Sequence, residues 1–175
     1  MSYTVVPTSN PGDTLQASWL NTYLRDNMAY LLNRPAQSII RDNGSNYVSG
    51  TTANTFADID GTNLKITLNN KGSFVLLTLL ATISLASTAQ LADFDFTLNG
   101  TRVGAAGSDG LCFVKALGGV AGIPLSMSVL VPVTPGSNVF KPQWTPQGAY
   151  AITMYAGGGS AGTDSLVSFS AVEVA

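Results

Sequence analysis

At 175 residues the chain has room for one domain and an appendage, and only 10% of it is charged against about 25% in an average soluble protein. A monomer so poor in charge would have to cover itself with Ser, Thr, Asn, Gly and apolar groups, so subunit interfaces are expected. A net charge of -2 offers no basic field and argues against nucleic acid as a partner. The single cysteine, Cys112, excludes an intrachain disulfide and reads as a small buried hydrophobe.

Met1 to Gly12 carries two prolines and a glycine with no helical period, which suggests an extended arm, and it lacks the basic and apolar regions of a secretory signal. Asp13 and Gln16 form a candidate capping box. Trp19, Leu20, Tyr23, Leu24, Met28, Leu31 and Leu32 then recur at helical spacing, so a helix is expected from about Thr14 to Asn33, ended by Pro35. Its apolar residues lie on more than one side. It would either close the open end of its own domain or serve trimerisation and docking.

From Gln37 the period changes to two, with turn clusters between short runs, the pattern of an antiparallel sandwich or barrel. Expected strands are Gln37 to Arg41, Thr55 to Ile59, Leu64 to Leu68, Ser73 to Ser84, Asp93 to Leu98, Arg102 to Ala105, Leu111 to Lys115, Leu125 to Val133, Asn138 to Trp144, Ala149 to Tyr155 and Ser165 to Val174. Asn99-Gly100 between β-like runs predicts a two-residue hairpin with positive φ at both positions. Phe94 and Phe96 alternate with Asp93 and Asp95, so that strand is expected to be half buried. Ser73 to Ser84 is apolar on both faces, with Phe74, Leu76 and Leu80 on one and Val75, Leu77, Leu79 and Ile83 on the other. A neighbouring subunit is expected over the second face, which makes Leu77, Leu79 and Ile83, together with Trp19 and Tyr23 of the helix, the candidate trimer-interface residues. The longest apolar run, Phe74 to Ala86, is too short for a transmembrane helix, and no membrane insertion is expected.

The segment Trp19-Leu20-Asn21-Thr22-Tyr23-Leu24-Arg25-Asp26-Asn27-Met28-Ala29-Tyr30-Leu31 resembles a motif found near the N-termini of many tailed-phage and prophage structural proteins: Trp-Asn, then Arg-Asp-Asn, then an aromatic-Leu pair. Four later phrases resemble the compact jelly rolls of phage fibre, spike and head-decoration proteins, similar in outline to the trimeric heads of the tumour-necrosis-factor type. They are Asn63 to Leu68 followed by Gly72 to Leu76, the hairpin Phe94 to Thr101, the strand Pro135 to Trp144, and the closing Phe169 to Val174. The resemblance implies an all-β chain, an antiparallel jelly-roll β-sandwich over residues 36 to 175, preceded by an arm and one α-helix over residues 1 to 35 that dock or trimerise. It further implies a homotrimeric virion component, a capsid decoration or a tail-fibre or spike part. Its partners would be its own copies, other virion proteins held through the N-terminal region, and, for a tip, a host surface glycan.

Catalytic chemistry is thin. Without histidine the chain cannot build a Ser-His-Asp or Cys-His triad or a His-containing zinc site, and Cys112 alone makes no thiolate metal site. Asp93 and Asp95 are spaced as a glycosidase pair but read as the solvated side of a strand. Asp58-Ile59-Asp60-Gly61 lacks the later Glu of a calcium loop and reads as an Asx turn. Tyr47, Tyr150 and Tyr155 are candidates for a sugar-stacking platform, against core or interface packing. No enzyme activity, cofactor or metal is therefore expected. The reading is a virion structural protein; the alternative is a carbohydrate-binding, lectin-like receptor-recognition module.

Overall fold

A computed structural model describes residues 20–42, 44–87, 90–104, 107, 109–116, 121–157 and 165–174. The period-two pattern becomes strands β1 (Ala36–Arg41), β2 (Tyr47–Val48), β3 (Ala57–Asp58), β4 (Ile66–Asn70), β5 (Phe74–Leu85), β6 (Leu91–Leu98), β7 (Thr101–Arg102), β8 (Cys112–Lys115), β9 (Ala121–Pro132), β10 (Gly136–Pro146), β11 (Ile152–Tyr155) and β12 (Val167–Glu173). Every pairing among them is antiparallel.

Short strands lie end to end and act as one row of a sheet. β5 pairs with β9 along one edge and with β12 and then β11 along the other; beyond them lie β1, on β12, and β2, on β11. In the second sheet β10 pairs with β4 and β3 on one side and β6 on the other, and β6 in turn carries β7 and β8. The result is an all-β sandwich of two sheets, each four rows wide.

The two sheets meet over Phe94, Phe96, Phe140 and Phe169, all fully buried, and the rings of Phe96 and Phe169 stack across the sandwich at 5.7 Å. Leu77, Leu79 and Ile83 belong to this core and are inaccessible. The chain's own second sheet thus covers the face for which a neighbouring subunit was expected. Each such side chain contributes about 1.5–3 kcal/mol to folding the single chain. The outward positions of β5 are the alternate ones, Phe74, Leu76 and Leu80, and all three are exposed.

Asn99 and Gly100 take φ values of 52° and 85°, which the mirror-image hairpin turn demands, and Leu98 pairs with Thr101 across it. Nearby, a buried chain of polar groups joins the sheets. Glu173 at the end of β12 accepts Lys71 N (2.7 Å), Gly72 N (2.9 Å) and Asn70 Nδ2 (3.1 Å), holding the turn between β4 and β5. Asn138 Nδ2 donates to Asn70 Oδ1 at 3.0 Å, and Asn99 Nδ2 donates to Asn138 Oδ1 at 3.0 Å. A buried carboxylate is tolerated here because N–H groups surround it.

Before β1 a π-helical turn (Leu20–Arg25) runs into α1 (Asp26–Leu32), and Asn33 closes the helix by donating both its N–H and its Nδ2 to Ala29 O. Lys71 Nζ donates to Asn33 O at 3.1 Å, which ties the helix end to the sandwich. Leu24, Met28, Leu31 and Leu32 are exposed, so this face of the helix does not close the domain. Tyr23 is half-buried. The expected arm, the capping box and Trp19 lie outside the described residues.

Candidate functional site

The outer faces of the two sheets are unlike. On the first sheet, strand alternation turns outward Ala36, Ser38 and Ile40 of β1, Ser168, Ser170 and Val172 of β12, Phe74 to Ser84 at every second position of β5, and Pro124 to Pro132 at every second position of β9. None of these residues is charged. Large apolar groups (Leu76, Leu80, Leu130, Val172, Ile40) stand exposed among hydroxyls, and Thr78 and Ser128 bond across the strands at 3.0 Å. The neighbouring β9 edge is also without charge over its whole length, whereas open edges are usually guarded by Lys or inward charge.

The second sheet turns its charges outward. Lys141 Nζ pairs with Asp58 Oδ2 at 2.7 Å, and Gln143 Nε2 donates to Asp58 Oδ1 at 2.8 Å. Burial works to raise the Asp58 carboxyl, but these two hydrogen bonds and the lysine charge outweigh it and hold it below the usual carboxylate range. Asp60 forms the expected Asx turn, accepting Thr62 N and Asn63 N at 2.9 and 2.8 Å, and Gly61 sits where a side chain would crowd Asp58.

Next to them the segment after β7 folds across β6, so Asp93, Asp95 and Thr97 are buried and the expectation of a half-solvated strand fails. Arg102 holds the fold-back. Its Nε pairs with Asp95 Oδ2 at 2.8 Å, its other nitrogens donate to Gly107 O (2.6 Å) and Asp109 O, and its guanidinium lies 3.6 Å from the Phe56 ring centroid. Gly104 and Gly110 are needed for the close approach. A Cβ at Gly104 would meet Asp95 Oδ2 at 2.7 Å, and one at Gly110 would collide with the Phe94 carbonyl.

Between this fold-back and β8 lies an open cleft of about 460 Å³ lined by Leu91, Asp93, Asp109, Gly110, Phe113 and Gln147. Gln147 Nε2 donates to Asp93 Oδ2. Burial first, and the Asp109 charge second, push the Asp93 carboxyl above its ordinary value, although the Gln147 bond and the Arg102 charge act against them. Cys112 packs its half-buried thiol against the core, and burial, with the Asp93 charge, raises its pKa. The cleft escaped sequence reasoning because Asp93 and Gln147 come together only across the sheet. The glycines at 104 and 110 were its available signal.

Of the candidate tyrosines, Tyr47 on β2 lies opposite Met154 and is half-buried with its pKa raised by burial, Tyr155 beside Met154 on β11 is buried, and Tyr150 is exposed without lining this cleft. Trp144 is core. The glycine-rich run 157–162 lies outside the described residues beyond Gly157. Among the described residues, no three His, Cys, Asp or Glu side chains converge as a metal site, and no helix is long and apolar enough to cross a membrane. Compared with known proteins, the chain matches no protein-family model and no curated protein sequence.

Proposed function

We propose that this chain is a virion structural protein of a tailed phage or prophage, a homotrimer that decorates the capsid or forms part of a tail fibre or spike. The observation that carries the reading is the contrast between faces. The first sheet exposes a charge-free, partly apolar surface, the kind that identical subunits cover with one another, while the second sheet carries the part-exposed Lys141–Asp58 pair on its outer side. The row order adds support. Numbered along the chain, the first sheet runs six, three, eight, one and the second two, seven, four, five, an arrangement that fits the two interleaved Greek keys of a jelly roll. The N-terminal motif and the exposed apolar stripe on α1 support attachment to a larger particle through residues 1 to 35.

Light scattering on the full-length chain tests the assembly. The expected mass is three times the 18.1 kDa of one chain, and Leu76→Asp combined with Leu130→Asp, both outward on the first sheet, should give a folded monomer. A monomeric wild type, or a variant that stays trimeric, would remove the basis of this proposal.

A further inference from the structure

The cleft beside β8 has a lining of mixed chemistry, apolar at Leu91 and Phe113 and acidic at Asp93 and Asp109. Phe113 stands 68% exposed at its rim, on an edge strand whose inward neighbours Cys112 and Val114 pack on the core. Asp93, itself 5% exposed, forms the inner wall with Gln147 bonded to it, and Leu91 adds an apolar surface. Asp109 completes the rim. Its backbone carbonyl is clamped by Arg102, which is in turn fixed to buried Asp95, so the rim is set before anything enters.

We infer that this cleft binds a neutral saccharide, taking one terminal sugar residue. A sugar offers an apolar C–H face and an edge of hydroxyls, and needs both an aromatic or aliphatic wall and acceptors for O–H donors. Phe113 and Leu91 supply the first, and the Asp93 and Asp109 carboxylates supply the second. The volume of about 460 Å³ lies within the range of small-molecule sites. No Lys or Arg lines the cleft, and two carboxylates do, so an acidic sugar is disfavoured by like charge. An alkylammonium ligand would also meet these carboxylates and the apolar wall, and spermidine is therefore the competing occupant in the test. The inference does not rest on the trimer or on the particle.

The test is a titration of the full-length chain, followed by backbone amide resonances, with methyl galactoside, methyl glucoside, methyl N-acetylglucosaminide, N-acetylneuraminic acid and spermidine in parallel. Expected are shifts at Gly110 and Phe113 with at least one neutral sugar, and a loss of about tenfold or more in affinity in Phe113→Ala, whose exposed position leaves the fold intact, and in Gln147→Ala. Tyr150→Ala, exposed elsewhere, should bind as wild type. No shift with any neutral sugar, shifts with spermidine alone, equal binding of the acidic sugar, or undiminished binding by Phe113→Ala would overturn the assignment. Solution mass reads the assembly separately, so failure here leaves that question where it stands.

Discussion

Arg102 holds three groups at once: the Asp95 carboxylate beneath it and the Gly107 and Asp109 carbonyls of the fold-back. Asp95 is fully buried, so removing its partner leaves a charge with little solvent to screen it. Arg102→Ala is expected to cost about 3–5 kcal/mol in urea unfolding, and Arg102→Lys to recover only part, since an ammonium cannot reproduce the guanidinium fork. If the cost is that of the orphaned carboxylate, the double variant with Asp95→Ala should be no less stable than Arg102→Ala alone. Some residues were legible from their neighbours, such as Asp60 in its Asx turn and Asn99-Gly100 in its hairpin, because both are local backbone chemistry. Asp93 and Asp95 were not. Their alternation with Phe94 and Phe96 correctly separates two faces, but the cover over the second comes from residues several positions further on, folded back by contacts with no sequence period.

At the scale of elements, β5 shows the same division. Its two apolar faces are plain in the sequence, yet nothing in the run says which enters the core, because a period of two distinguishes the faces without orienting them. The structure turns Leu77, Leu79 and Ile83 inward. Leu77→Ala is therefore expected to lower unfolding free energy by about 2–5 kcal/mol in urea titration and leave the solution mass unchanged, and Leu77→Asp to prevent folding. A dissociated but fully stable Leu77→Ala would place this residue at a subunit interface after all. The helix is the converse case. Its stripe of Leu24, Met28 and Leu31 follows from spacing alone, and the structure leaves that stripe exposed.

For the whole molecule the deciding feature is the distribution of charge between faces. Only 10% of the chain is charged, and the outward positions of the first sheet carry none of that charge among the described residues. If that face holds copies of the chain together, removing residues 1 to 35 should leave a species of three chains by light scattering, since the outward residues of the first sheet begin only at Ala36. Collapse to monomers would instead assign the association to α1 and the segment before it.

The sequence by itself determined that the chain is built of antiparallel strands, where most of them run and where the tight hairpin falls. These follow from side-chain period and turn chemistry, which are properties of neighbouring residues. Only the tertiary structure decided which face of β5 is core, that Asp93 and Asp95 are buried, and that Phe113, Asp109 and Gln147 share a cleft. Each of these depends on contacts between segments far apart in the chain, and Gln147 reaches Asp93 across 54 residues. No local pattern records that distance.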